Sequence, residues 1–287
     1  MRPRAAASLA LALTVGCGAA AVAGALPRPD HVVVVIEENK GFTNVIGKRT
    51  APYINGLAAR GALFAQSYAL ARPSQPNYLI LFAGSTLGVT SNGVPKVRPF
   101  SAPNLGAELI AAGLSFCGYS EGLPAAGFDG KKAGAYTRKH NPWVNWQGAP
   151  ANAVPAACNQ PFATFPADLS RLPTIAFVIP NLQHDMHSGT VAAGDAWLRA
   201  QLDRYITWAA THNSLFILTF DEDNRLEGQR IPTLFVGPMV RPGRYEQRIT
   251  HENVLRTLEE MFGLLPSGGA AEASAIDFCW QPAAGRR

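Results

Sequence analysis

The sequence of 287 residues contains only four cysteines, and no two of them have the spacing of a metal-binding pair such as Cys-x-x-Cys. This scarcity argues against a cysteine-ligated metal site. Cys17 falls in the N-terminal segment discussed below, which leaves Cys117, Cys158 and Cys279. These three allow at most one disulfide bond within the chain. Cys117–Cys158 is the favoured pair, because Cys279 lies in a terminal tail.

Charged residues are also scarce, at 16% of the chain, compared with about 25% in typical soluble proteins. The net charge is +5, but the Lys and Arg residues form no run of the type that binds nucleic acids. We therefore predict no nucleic-acid-binding module. The positive charge fits a mildly basic soluble protein, and attraction to anionic substrates or surfaces stays open.

Long apolar runs are absent from the chain after its N-terminal segment. No stretch there approaches the roughly 18 apolar residues of a membrane span. We therefore predict no transmembrane segment in the mature chain. Residues 1–25 have the pattern of a secretory signal peptide, because Arg2 and Arg4 precede an Ala-rich apolar stretch that ends in Ala23-Gly24-Ala25. We expect a secreted or periplasmic protein. A lipoprotein signal at Cys17 is less favoured, because the residues before it form a poor lipobox.

Apolar runs alternate with helical patterns along residues 26–287, which predicts a single α/β domain with a mostly parallel sheet and helices on both faces. The predicted strands are HVVVVIE, LSFCGYSE, TIAFVIP, SLFILTF and IPTLFVGP. The predicted helices are 51–64 (with Gly61 at its end), 103–113, 195–212 and 250–264. A segment rich in Gly, Pro and Asn at about 122–166 contains two tryptophans, so we predict an ordered insertion there.

Acidic residues directly follow two of the predicted strands. Glu37 and Glu38 follow the first strand, and Asp221 and Glu222 follow the run SLFILTF. Ligands of such sheets bind at the carboxyl ends of the strands. One acidic cluster alone fits a solvated strand end, but two clusters at one edge repel unless a cation or proton lies between them. With the amide of Asn39, they predict a site for a divalent cation.

Ser74 lies between two prolines, ahead of an apolar run. A serine before a helix is most often an N-cap. The same position favours a bound anion, and a metal could lower the pKa of the hydroxyl group. Ser74 is therefore a candidate nucleophile, and Asn77 could donate a hydrogen bond to the charge that develops.

Histidines cluster in the segment PNLQHDMHSG, which follows the predicted strand TIAFVIP. This segment places His184, Asp185 and His187 close together at a strand end, a pattern more typical of a functional site than of a plain surface. His251 begins the last predicted helix, where it could cap, pack or bind a ligand.

Several segments resemble, in order and spacing, the bacterial and fungal phosphoesterase family, which includes secreted acid phosphatases and phosphatidylcholine-type phospholipases C of the alkaline phosphatase superfamily. They span about residues 30–265 and include VVIEENKGF, PSQPNYL, GYSEGLP, KHNPWVNW, TFDEDN and HENVLRTLEEMFGL. The resemblance implies an alkaline-phosphatase-like three-layer sandwich that hydrolyses phosphoric esters. It is much less specific for the substrate.

The resemblance also implies roles for individual residues. Ser74 matches the family's nucleophile. The metal-binding pairs of the family match Glu38, Asn39, Asp221 and Glu222. The resemblance also assigns Asp185, His187 and His251 to the active site.

The resemblance implies that Asp185, His187 and His251 could serve a second metal or the phosphoryl oxygens. The leaving group could take its proton from His187, from His251 or from water held by the cation. One residue departs from the family pattern: Arg72 stands where members often have histidine. Arg72 cannot carry a proton, but its guanidinium could bind a phosphate oxygen.

The sequence thus predicts a secreted, metal-dependent phosphomonoesterase with a serine nucleophile. One alternative is a phospholipase C-type diesterase that acts on lipid head groups, and another is a non-catalytic exported binding protein on the same fold. We expect Glu38 and Asn39 to bind the cation and Glu37 to support the site from behind. The identity and number of the metal ions, the substrate and the oligomeric state stay open.

Overall fold

The computed structural model describes residues 25–282. Residues 1–24, which make up nearly all of the predicted signal peptide, lie outside this range. The strands of the described part, β1–β10 in chain order, are His31–Glu37, Ala62–Tyr68, Phe116–Ser120, Lys132–Ala133, Tyr136–Thr137, Asn159–Pro161, Ile175–Ile179, Ser214–Phe220, Thr233–Val236 and Gly243–Thr250. The α-helices, α1–α6, are Phe42–Val45, Pro52–Arg60, Ser74–Ala83, Leu105–Ala111, Val191–Ala209 and His251–Phe262.

Eight of the strands form one sheet in the order β10-β2-β9-β8-β1-β7-β3-β6. Strand β9 is antiparallel to both of its neighbours, and the other pairings in this sheet are parallel. Strands β4 and β5 form a separate hairpin. The predicted α/β class with a mostly parallel sheet is therefore confirmed.

The sheet is buried on both faces, as the side chains of β1 demonstrate. Val32, Val34 and Ile36 pack into a core that includes residues of α3, α4 and α6. Val33 and Val35 point the other way, into a core with residues of α2 and α5. Because successive side chains of a strand alternate between faces, this unbroken apolar run is what a sheet between two helical layers requires.

Three strands of the sheet, β2, β6 and β10, were absent from the sequence prediction. Strand β2 begins at Ala62, directly after Gly61 ends helix α2. Strand β10 has the sequence GRYEQRIT and is largely exposed, as is usual for an edge strand, so it lacks an apolar pattern. Helix α5 begins four residues earlier than predicted, because the Thr190 side chain caps it by accepting a hydrogen bond from the Ala193 backbone nitrogen (3.1 Å). None of the helices in the described residues is both long and apolar enough to span a bilayer.

The predicted insertion is ordered and joins the main sheet. It contains the β4–β5 hairpin, several 3₁₀ turns and strand β6, which pairs with β3. Trp143 and Trp146 are fully buried. Trp143 packs directly over Gly118 of β3, where any Cβ atom would overlap the indole ring. Glycine at position 118 therefore lets the insertion lie against the sheet.

Two of the three cysteines in the described residues are neighbours. Residues 118 and 159 are register partners on β3 and β6, which brings Cys117 next to Cys158. No disulfide joins them, and both are free thiols. Cys279 is also a free thiol and is buried elsewhere. The structure thus places Cys117 and Cys158, the favoured pair, next to each other as free thiols.

Candidate active site

The two acidic clusters meet at the carboxyl edge of the sheet, as the strand-end rule predicts. Glu37 is the register partner of Phe220 on the adjacent strands β1 and β8, so Glu38 and Asp221 emerge side by side. Asn39 follows in a left-handed conformation (φ 50°) that asparagine tolerates. Its backbone nitrogen donates a hydrogen bond to Oδ1 of Asp221 (2.9 Å), which ties the two strand ends together.

Ser74 is the first residue of α3 and reaches the same place. Its Oγ atom lies 3.0 Å from Oε2 of Glu38 and 3.5 Å from Oε1 of Glu222. All ten residues of α3 are buried. The hydroxyl group is therefore held on a rigid helix start, between carboxylates that come from two different strands.

Arg72 is committed to the second acidic cluster. Its Nη1 atom lies 2.9 Å from Oε2 of Glu222, and its guanidinium also pairs with the Asp223 carboxylate. Asp223 in turn accepts hydrogen bonds from the backbone nitrogens of Arg225 and Glu227. These contacts orient Glu222 towards Ser74.

Lys139 and His140 complete the site, and the sequence interpretation gave neither of them a role. Nζ of Lys139 lies 3.4 Å from Oγ of Ser74. Nε2 of His140 lies 2.8 Å from Oε1 of Glu38, and its Nδ1 lies 3.2 Å from Oδ2 of Asp185. Both residues belong to the segment KHNPWVNW, so the signal was present as a motif without an assigned function.

The histidine-rich segment after β7 contributes mainly through Asp185. Its backbone oxygen accepts a hydrogen bond from the Glu38 backbone nitrogen (2.7 Å), and its carboxylate contacts His140. Oδ1 of Asp185 also accepts from the His187 backbone nitrogen (2.8 Å). The His187 side chain is exposed near His140, with ring centroids 6.3 Å apart. His184 instead pairs with Glu121 (2.9 Å).

Three other residues singled out from the sequence lie behind these groups. The amide of Asn77 is occupied by the loop before Ser74, since Oδ1 accepts from Leu70 and Ala71 and Nδ2 donates to Ala71. Nε2 of His251 lies 2.8 Å from the Phe220 carbonyl oxygen, in the interior. Glu37 is fully buried, and neither of its carboxylate oxygens has a hydrogen-bond partner in residues 25–282.

The carboxylates have unequal electrostatic environments. Burial raises the pKa of Glu38, but the nearby His140 and Lys139 outweigh it and lower that pKa to about 2. Burial and the charge of Glu38 raise the pKa of Asp221 well above its ordinary value. Burial lowers the pKa of His140, and the two acids beside its ring more than offset this effect and raise it. Glu38 and His140 thus behave as an ion pair, whereas Asp221 lacks a compensating cation.

The donor atoms fit a hard divalent cation. Glu38, Asp221 and Glu222 provide buried carboxylate oxygens, and Asn39 and Ser74 can add neutral oxygens. Oδ2 of Asp221 is buried without a hydrogen-bond partner among the described residues, as expected for an atom whose natural partner is an ion. Among the described residues, no group of three or more His, Cys, Asp or Glu side chains is arranged to hold a metal ion without further ligands. The neutral oxygens would therefore have to complete the ligand set.

A large cavity lies apart from these residues. A cavity of about 920 Å³ lies between α2 and α5, where its lining includes Tyr53, Asp195 and Arg199 and none of the residues around Ser74. We identify the site by its convergent buried polar groups, because these are what catalysis at a phosphoester requires.

The fold is similar to that of several solved structures. A protein of the alkaline phosphatase superfamily from Vibrio parahaemolyticus superposes with a TM-score of 0.63 over 90% of this chain and 72% of that chain, at 14% sequence identity. A phosphonate monoester hydrolase from Silicibacter pomeroyi superposes with a TM-score of 0.57 over 86% of this chain and 76% of that one, at 12% identity. These likenesses define the class of fold: the three-layer α/β architecture of the alkaline phosphatase superfamily.

The profile of the Phosphoesterase family matches residues 48–265, and the chain belongs to that family. It is 49% identical over 260 residues to a phosphatidylinositol-3-phosphatase of Mycobacterium tuberculosis, covering 90% of this chain and 85% of that protein. It is 29% identical to an acid phosphatase of Aspergillus fumigatus, covering 76% of this chain but only 52% of the fungal enzyme. The chain is thus a hydrolase of phosphoester bonds, and the resemblance noted from the sequence motifs is confirmed.

Proposed function

We propose that this protein is a divalent-metal-dependent phosphomonoesterase in which Ser74 is the nucleophile. The observation that carries the proposal is the position of the Ser74 hydroxyl, 3.0 Å from a carboxylate oxygen of Glu38 and 3.4 Å from the Lys139 ammonium. A nucleophile for phosphoryl transfer needs an activating group on one side and positive charge for the phosphoryl oxygens on the other.

In this proposal Glu38, Asn39, Asp221 and Glu222 hold the cation. When bound, the cation supplies Lewis-acid chemistry that favours the deprotonated serine and polarises the phosphoryl group. The surrounding residues keep its ligands in place, since His140 lies 2.8 Å from Glu38. The donor set and the unpartnered Oδ2 of Asp221 support this assignment.

The proposed reaction has two displacements at phosphorus. Ser74 Oγ gives its proton to solvent water and forms a bond to phosphorus as the ester oxygen leaves, and the leaving oxygen takes a proton from His187 at the exposed side of the site. Water then attacks the phosphoserine and gives one proton to His187, inorganic phosphate is released, and the Ser74 oxygen takes a proton back from solvent. Lys139 stabilises the non-bridging oxygens in both steps. His251 contacts the Phe220 backbone instead, so we assign it a positioning role.

The names of the relatives guide the choice of substrate. Relatives of this chain are named phosphatidylinositol-3-phosphatase, acid phosphatase and phosphate-repressible acid phosphatase. We propose phosphomonoesters as the substrate class, with phosphatidylinositol 3-phosphate as the first candidate. The sequence pattern of residues 1–25 supports export of the mature protein.

The Ser74→Ala variant tests the nucleophile. Its kcat on p-nitrophenyl phosphate should fall by at least about 1,000-fold, because the covalent route is lost. The Ser101→Ala variant is the matched control, since Ser101 is exposed and away from these contacts. Near-normal turnover by folded Ser74→Ala protein would refute the assignment. Bis(p-nitrophenyl) phosphate hydrolysed faster than the monoester would favour the diesterase alternative.

Removal of the cation tests the metal site by stability as well as by rate. Chelation, with metal loss checked by elemental analysis, should lower the thermal unfolding midpoint, because a cation that binds only the folded state stabilises it. The Asp221→Asn variant should show a smaller response to chelator than the wild-type protein does. An unchanged midpoint in metal-free wild-type protein would contradict metal binding at this site.

A further inference from the structure

A small basic cavity lies near the nucleophile, since its lining includes Lys139, which contacts Ser74. It has a volume of about 60 Å³, whereas one buried water needs roughly 10–15 Å³. Its lining includes Gln75, the neighbour of Ser74, together with Lys131, Lys132, Arg138 and Lys139, and contains no carboxylate. A cavity of this size and charge has the properties of a site for a tetrahedral oxyanion.

The fold builds this cavity from two segments that are anchored to the active site. Register pairing in the β4–β5 hairpin sets Lys132 opposite Thr137, just before the turn that carries Lys139 to Ser74. The Lys131 backbone oxygen accepts a hydrogen bond from the Arg138 backbone nitrogen (3.1 Å). On the other side, Gln75 Nε2 donates to the backbone oxygens of residues 91 and 93 (2.8 and 2.7 Å). The cavity is therefore preformed.

Arg138 is the most informative residue of the wall. It is only 2% exposed, and its Nε and Nη1 atoms have no hydrogen-bond partner in the part of the chain that the structure describes. Burial, together with the charge of Arg98, lowers its pKa to about 10. The nearby Asp129 pairs with Arg98 at 3.6 Å. Burial of an unpaired guanidinium is costly unless an anion compensates it.

We propose that this cavity is a second anion subsite, in which Lys131, Lys132 and Arg138 bind a further phosphate group of the same substrate molecule while Ser74 attacks the first. The inference rests on the proposed function and adds a specificity to it: substrates with two phosphates are preferred over those with one. A phosphate in the cavity would lie beside the buried guanidinium, which also borders a second cavity of about 410 Å³ that Arg98 and Asp129 line.

The experiment compares inositol 1,3-bisphosphate with p-nitrophenyl phosphate as substrates. The measured quantity is the kcat/KM value for inositol 1,3-bisphosphate divided by the kcat/KM value for p-nitrophenyl phosphate. In the Lys131→Ala/Lys132→Ala variant this ratio should fall at least about 5-fold, because each partly exposed cation contributes a modest interaction with the second phosphate. The matched control is Lys48→Ala/Arg49→Ala, another adjacent exposed basic pair.

The outcomes are decisive in both directions. An equal loss on both substrates, no loss on either, or the same change in the control pair would overturn the proposal. Short-chain phosphatidylinositol 3-phosphate, tested in parallel, separates the two sources of a second phosphate. If the double lysine substitution lowers the kcat/KM ratio of this lipid to p-nitrophenyl phosphate, the subsite extends to lipids. If it lowers the ratio for the soluble bisphosphate alone, the subsite is restricted to soluble substrates.

Arg138 provides a second test. Because Nε and Nη1 bind no described residue, the Arg138→Met variant leaves no carboxylate without its partner and should fold. Its ratio should fall at least about 10-fold, as expected for loss of a charge-assisted hydrogen bond, and Arg138→Lys should recover part of the loss. A ratio within twofold of wild type in Arg138→Met would likewise refute the subsite.

Failure of the subsite and failure of the proposed function are distinguishable. Calorimetric titration of Ser74→Ala protein with inositol 1,3-bisphosphate measures binding without turnover. If the added lysine substitutions weaken this binding, the subsite stands even if Ser74 is not the nucleophile. If they leave it unchanged while wild-type protein hydrolyses p-nitrophenyl phosphate, the subsite fails and the proposed function stands.

Discussion

Lys139 places a positive charge in a site made mostly of acidic residues. Its ammonium lies 3.4 Å from Ser74 Oγ and 3.9 Å from Oε2 of Glu38. The second acidic cluster is neutralised differently, through the ion pairs of Arg72. Lys139 is therefore the cation of the described site that directly faces the nucleophile, and a phosphoryl group on Ser74 would lie within its reach.

The Lys139→Met variant should lower kcat/KM for p-nitrophenyl phosphate by at least about 10-fold, because a cation beside the transferring phosphoryl group is lost. The methionine side chain keeps a similar length, so the folded structure should persist. Lys48→Met, on the exposed surface, should retain wild-type rates. Steady-state kinetics with circular dichroism check the expectation, and a Lys139→Met rate equal to that of the control would contradict it.

At the scale of elements, the positions of the strand ends were predictable, whereas the path of the insertion was not. Glu38 and Asp221 could be placed together because each follows an apolar run, and parallel strands carry their ends to one edge. Lys139 and His140 follow no such run. Their position depends on contacts remote in sequence, such as Trp143 on Gly118 and the hydrogen bond from Ser120 to Asn141 (2.7 Å). A periodic pattern contains no information about such contacts.

The Gly118→Ala variant tests whether the insertion positions the site. A methyl group at residue 118 overlaps the Trp143 ring, so the insertion must shift. We expect the free energy of unfolding to fall by about 1–3 kcal/mol, and the phosphatase rate to fall with it. Gly56→Ala is the control, since its added methyl group meets no atom within 4 Å and lies in α2. Urea denaturation measures the stability of both variants, and steady-state kinetics measure their rates. Equal stabilities and rates in the two variants would contradict the expectation.

At the scale of the whole molecule, a buried acid of α6 links stability to pH. Oε1 of Glu259 accepts a hydrogen bond from the Ser267 backbone nitrogen (2.8 Å), and its Oε2 has no partner among the described residues. Burial raises the pKa of Glu259 from 4.5 to about 7. The folded state therefore holds this proton more tightly than the unfolded state does. The stabilisation is complete below pH 4.5 and is lost as the pH rises through about 7.

Glu259→Gln should remove this part of the pH dependence. The amide can still accept the Ser267 hydrogen bond but does not ionise. Between pH 4.5 and 7, wild-type protein should lose at most about 3 kcal/mol of unfolding free energy relative to the variant. Urea denaturation at several pH values measures the difference. The Glu260→Gln variant, on the exposed side of α6, should follow the wild-type curve. Parallel curves for Glu259→Gln and wild type would refute the assignment.

The neighbouring thiols of Cys117 and Cys158 have a consequence for the connectivity of the molecule. They lie at the two ends of the segment that carries Lys139 and His140, so a covalent bond between them would close that segment into a ring. Such a ring would create no new native contact. Its effect would fall on the unfolded chain, whose conformational entropy would decrease by an amount worth about 4 kcal/mol at this ring size. The two ends of the active-site insertion would then stay joined to each other even when the chain unfolds.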